Sequence, residues 1–124
     1  IRVNPTMDVS GGGHMQNAYG ANDETGCWSN PSHWMDYYGP VGDEVAGFAI
    51  FDHPSNFRYP TTWHVRGYGL FAPNCWMFKE DHRLAAGAEM TFRWRIVIHQ
   101  GDTAQADIGN RFLDYVDGPR VVRG

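Results

Sequence analysis

Six histidines stand at positions 14, 33, 53, 64, 82 and 99 of this 124-residue chain. Three of them, His53, His64 and His99, have an arrangement that chemistry could use. Neutral imidazoles suit copper, zinc, iron and nickel, and three His ligands with an open fourth position make a reactive metal site rather than a closed structural one. The spacing H-x10-H-x34-H is not a metal motif by itself. Chain topology is what could bring them together. His53 ends one extended stretch, the chain turns, and His64 lies near the start of the next. If a later strand returns antiparallel to that one, His99 arrives at the same end. His33 competes for the third place, because hairpin pairing sets it beside residues 50–52. His14 and His82 fall in loops and read as surface residues.

Neighbours of these histidines suggest supporting roles. Asp52 is next to His53 and could orient a ligand imidazole through its far nitrogen; the alternative is a strand-end turn residue bonded to nearby backbone. Arg66 and Tyr68 alternate with His64 along one strand face. They could hold a substrate or an oxygen species, or make an ion pair and a packed ring. Other chemistries have less behind them. There is no serine nucleophile elbow and no cysteine beside a histidine in sequence, and nothing singles out a glycosidase pair of carboxylates. Gly11-Gly12-Gly13 reads as a flexible turn and not a phosphate loop, since no lysine-bearing helix start follows it. Trp28, Trp34, Trp63, Trp76, Tyr37 and Tyr38 could form a platform for sugar rings, although large aromatics more often fill cores. Cys27 and Cys75 permit one disulfide or two buried thiols.

The elements that must position these residues are mostly strands. Residues 33–38 and 45–53 flank a turn at 40–43 and should pair as a hairpin. Pro54 ends the second strand, because it cannot donate a ladder hydrogen bond. Residues 62–71 and 90–99 are two further strands, with weak strand signals near 76–78 between them. Phe92, Trp94, Ile96 and Ile98 on one face of the last strand look like core. The first 30 residues, rich in Gly, Asn, Asp and Ser, read as long loops with short extended pieces. One helix follows: Asp102 and Gln105 resemble a capping box, Ala104, Ile108, Phe112 and Tyr115 recur at helical spacing, and Gly118-Pro119 stops it. The fold expected is all-β, a cupin-like jelly-roll barrel or sandwich with one short C-terminal helix, in a single domain over residues 1–124.

Composition bounds the partners. Fourteen acidic and 10 basic residues give a formal charge of -4, and five Trp, six Tyr and seven Phe make the chain rich in aromatics. A domain this size buries enough surface to fold without a metal or a disulfide. With no Lys/Arg cluster, nucleic acid is not expected as a partner. No apolar run approaches a membrane span. A neutral partner fits this balance better than a polyanion. The chain opens on Ile1, which fits a trimmed, exported product.

Sequence blocks add a resemblance. The run WMDYYGPVGDEVAGFAIFDHPSNFRYPTTWHVRGYGLFAPN, with the later RWRIVIHQGD and the upstream GGGHMQNAYG and CWSNPSHW, resembles the PmoA-like domain family, a domain of unknown function. His53, His64 and His99 are the histidines that fall in its blocks. By its small size the chain is similar to a compact copper-dependent member of that family that cleaves cellulose oxidatively. The resemblance implies one copper ion on His53, His64 and His99, with Arg66, Tyr68 and Asp52 around it. It implies C1 oxidation of a β-1,4-glucan by O2 or peroxide and a reductant, giving aldonic acids. The rival expectations are a non-catalytic carbohydrate-binding module, which needs an exposed aromatic row and no metal, and a zinc or iron cupin-like enzyme acting on soluble sugars. Exposed edge strands in such folds suggest a homodimer.

Overall fold

The computed structural model describes residues 1–117. It is mostly β, with strands β1 (His14–Asn17), β2 (Trp34–Val41), β3 (Glu44–Asp52), β4 (Trp63–Val65), β5 (Phe71–Pro73) and β6 (Trp94–Gln100), and helices α1 (Asp23–Cys27) and α2 (Ile108–Val116). A four-stranded antiparallel sheet runs in the order β1-β2-β3-β6, and β4 and β5 form a second, two-stranded sheet. The sheets do not close into a barrel among the described residues; the architecture is sandwich-like.

Alternation along β2 and β3 creates two cores. Met35, Tyr37 and Ile50 face one way and pack on Trp63, Val65 and Phe71 of the small sheet, with Val3 and Met7 from the N-terminal segment. Trp34, Ala49 and Phe51 face the other way and pack on Ala106, Ile108 and Phe112 around α2. The four-stranded sheet is therefore the middle of three layers, and both of its faces need apolar residues.

The expected hairpin is present: β2 pairs with β3 from Trp34↔Phe51 to Val41↔Glu44. The C-terminal helix is present too. Its capping box is reciprocal, with Gln105 N–H donating to Asp102 Oδ1 at 2.7 Å and Asp102 N–H donating to Gln105 Oε1 at 2.9 Å. The box caps a turn, however, and the helix proper begins one turn later at Ile108. The predicted stop at Gly118-Pro119 lies outside the described residues.

Several expectations need correction. Residues 62–71 are not one strand. The chain leaves β4 after Val65 and turns, with Gly69 N–H donating to Arg66 O and Arg66 N–H to Leu70 O. Gly69 takes φ 103°, a conformation L side chains avoid, and this makes the reversal cheap. Residues 76–78 form no strand, because Asn74 Oδ1 accepts the N–H groups of both Trp76 and Met77 and bends the chain. Gly11-Gly12-Gly13 is packed rather than loose: a Cβ on Gly13 would collide with Met7 O. The short helix α1 was not expected at all. Cys27 and Cys75 are free, buried thiols, so they form no disulfide. Burial pushes the Cys27 thiol up to about 12. Trp94, Ile96 and Ile98 are exposed, because the small sheet covers β2 and β3 but not the edge strand β6.

Candidate functional site

The three histidines do not converge. Strand β6 pairs with β3 and not with residues 62–71, and it does so antiparallel, so Asp52 lies opposite Trp94 and Gly47 opposite His99. His53, one residue past the end of β3, therefore sits by Arg93, whose carbonyl accepts its N–H at 3.3 Å. His99 lies six residues back along the sheet, about 20 Å away at the rise of an antiparallel strand. His64 belongs to the other sheet, opposite Ala72.

Two of the three also have partners of their own. His99 Nε2–H donates to Asp36 Oδ1 at 2.6 Å, and Nδ1 faces Gln100 O at 3.3 Å. Both ring nitrogens meet oxygen acceptors, so neither has a lone pair to give a metal. Burial opposes the charged ring, but the Asp36 hydrogen bond and charge, with the Gln100 carbonyl, outweigh it and raise the His99 pKa. His53 Nδ1 accepts the Ser55 N–H at 3.0 Å, and its ring meets the Tyr115 ring edge-on. As ligands of one copper ion these three do not fit. Among the described residues no group of three or more His, Cys, Asp or Glu could hold a metal ion.

His33 does sit beside the end of β3, where its carbonyl accepts the Asp52 N–H at 3.0 Å. Its ring packs among Tyr19, Tyr59 and Phe112. Arg66 and Tyr68 lie in the turn after β4, off any strand face. Arg66 pairs with Glu24 at 2.7 Å and lies over the Trp28 ring. Glu24 is held below the usual carboxylate range by the Gly67 N–H first and Arg66 second. Tyr68 is exposed under Arg2. His14 is exposed but on β1, and His82 is exposed against Phe57.

Asp52 is where the structure gathers function-bearing groups. It does not orient a histidine. Its Oδ1 accepts from Asn56 Nδ2 at 2.7 Å and its Oδ2 from the Thr61 N–H at 3.0 Å, closing the loop between β3 and β4. Asn56 in turn clips onto residue 93, accepting the Arg93 N–H at 2.7 Å and donating to the Arg93 carbonyl at 2.6 Å. Desolvation raises the Asp52 pKa against these hydrogen bonds.

Beside Asp52 lies a cavity of about 120 Å³. Phe57, Trp76, Phe92 and Trp94 wall it, and Asp52, Thr61 and Cys75 also line it. Trp76 and Trp94 are 45% and 46% exposed, whereas Asp52 is 1% exposed, so the tryptophans stand at the mouth and the carboxylate at the inner end. Phe92 stacks on Trp94 at 5.2 Å with the planes 3° apart, and Trp76 meets Phe92 edge-on at 5.9 Å. Arg58 braces the wall. Its guanidinium lies 4.8 Å from the Phe57 ring centre and 5.8 Å from that of Trp76, and it donates to the carbonyls of Cys75 and Glu80, both at 2.8 Å.

Of the aromatics expected in a sugar platform, Trp63, Trp34 and Tyr37 are core, and Trp76 is at this mouth. Asn56 and Arg58 were not singled out in the sequence, and Phe92 and Trp94 read there as core. The available signal was the D-H-P-S-N block, whose Asp and Asn are spaced to close one turn. Asp36 was also missed; an acid inside the strand run W-M-D-Y-Y needs a buried partner, and His99 is that partner.

Comparison with known proteins gives one match. A family model described as a family of unknown function, DUF6807, matches residues 1–112. No curated protein and no solved structure matches the chain.

Proposed function

For a chain that belongs to the DUF6807 family of unknown function, we propose that the activity to look for is recognition of a neutral carbohydrate at the Asp52 cavity. The observation that carries this reading is the pair of half-exposed tryptophans, Trp76 and Trp94, flanking a pocket with a buried carboxylate at its inner end. Sugar rings present apolar C–H faces to indoles and hydroxyls to carboxylates, and ligand sites combine apolar walls with a few fixed polar groups in this way. A cationic ligand is disfavoured, because Arg58 already lies over two of the aromatic rings. An anionic one would meet Asp52. A net charge of -4 agrees with a neutral partner.

Isothermal titration with cello-oligosaccharides, alongside tryptophan fluorescence, tests the reading. Binding is expected, and Trp76→Ala and Trp94→Ala should each weaken it about tenfold, the loss of one aromatic anchor. If neither cello-oligosaccharides nor other neutral oligosaccharides bind, the reading is wrong.

Copper-dependent oxidation of cellulose, the activity implied by the resemblance, has the sequence blocks as its support and no ligand set among the described residues. Appearance of aldonic acids from cellulose, copper and a reductant, at a rate lost in the histidine variants, would carry that alternative.

A further inference from the structure

Resting on the carbohydrate reading above, we propose that the cavity is an end-binding site, which admits the terminal ring of a neutral glycan chain and not an internal one. The shape argues for this. A platform that binds along a polymer is open at both ends, so that rings can run on in either direction. Here the exposed side chains are confined to one side, at Trp76 and Trp94, and the inner end is made by Asp52, Thr61 and Cys75, which are all buried.

The inner end is also braced by hydrogen bonds. Thr61 and Asp52 are tied through the Thr61 N–H, Asn56 locks the loop to residue 93, and Arg58 pins residues 75 and 80 to the same loop. A chain entering at the mouth meets this braced loop at the inner end. The volume points the same way. About 120 Å³ holds one ring-sized group, well short of the roughly 300–1,000 Å³ that enclose a whole drug-sized ligand. A terminal ring has a free hydroxyl where an internal ring carries its next neighbour. That hydroxyl can reach the buried Asp52 carboxylate, which has acceptor capacity beyond its protein donors Asn56, Thr61 and Trp94.

The test compares chain lengths on the unmodified protein. Cellotriose and cellohexaose should bind with the same affinity per chain, one protein to each. A long soluble mixed-linkage β-glucan, at equal mass concentration, should compete only in proportion to its few ends. Affinity that climbs with each added ring, with the polymer competing by mass, would overturn end binding and leave carbohydrate binding standing. Failure of every glucan to bind would overturn both. A second arm fills the inner end: Cys75→Met, its fold checked by near-ultraviolet circular dichroism, should lose at least tenfold in cellotriose affinity. A folded Cys75→Met protein that binds unchanged would place the sugar outside the cavity and overturn the proposal.

Discussion

His99 and Asp36 form a sealed ion pair across the four-stranded sheet: Nε2 lies 2.6 Å from Oδ1, and the two side chains are 1% and 0% exposed. Strand β3 runs between them, and Thr103 Oγ1 donates to the second Asp36 oxygen at 2.8 Å. The pair ties β2 and β6 to the segment that leads into α2. It does the work of a structural bolt, in the place where a metal ligand had been expected.

This pair makes stability depend on pH in one direction. The folded state raises the His99 pKa above its ordinary 6.5, so the folded protein holds a proton more tightly than the unfolded chain. The stabilisation is fully present below that ordinary value and is lost as pH rises through the raised one. Urea midpoints measured across this range should fall with rising pH. His99→Gln should flatten that fall, and Asp36→Ala, which strands a buried partner, should cost about 3–5 kcal/mol. An unchanged pH slope in His99→Gln would remove the assignment.

Gly47 should tolerate no side chain. A Cβ there would stand 2.5 Å from His99 Cε1 and 2.9 Å from the Tyr38 Cβ. Gly47→Ala must push the His99 ring off Asp36 or bend β3, and about 1–3 kcal/mol of destabilisation is expected. Thermal unfolding of the variant checks this. Full stability would mean that the ring has room the structure does not show.

Copper provides a direct check on the histidines. Titration followed by electron paramagnetic resonance should give no single tight site that depends jointly on His53, His64 and His99. His53→Ala and His64→Ala should leave any weak copper signal as it is, while His99→Ala destabilises the fold through Asp36. One defined copper centre lost in all three variants would restore the sequence-based expectation.

Strand β6 is an edge that carries exposed Trp94, Ile96 and Ile98, and such an edge invites pairing with another chain. Light scattering should report a dimer at high concentration. Ile98→Lys should return it to monomer, since a charge on an edge strand blocks strand addition. A monomer at every concentration would set the homodimer aside.

Much of the fold was legible in local pattern. The β2–β3 hairpin was readable because an aromatic-rich run and an apolar run flank a turn at 40–43, and the Asp102/Gln105 box because capping is a contact three residues long. The division of residues 62–71 was not read, since the β-favouring Val65, Tyr68 and Phe71 outweighed the two glycines between them in a count of strand formers. Trp94, Ile96 and Ile98 carry a core pattern, yet whether a strand face is covered depends on a second sheet that their own sequence does not describe.

The site divides the same way. The sequence by itself determined a mostly β chain, a short C-terminal helix and an Asp–Asn block that closes its own turn, all set by interactions within a few residues. Which strand β6 joins was decided only in three dimensions. Pairing is chosen by burial summed over both faces of the sheet, and one choice of neighbour sends His99 to Asp36 instead of to His53. The same choice brings Trp94 across from Asp52, and with Trp76 from a distant loop it makes the cavity.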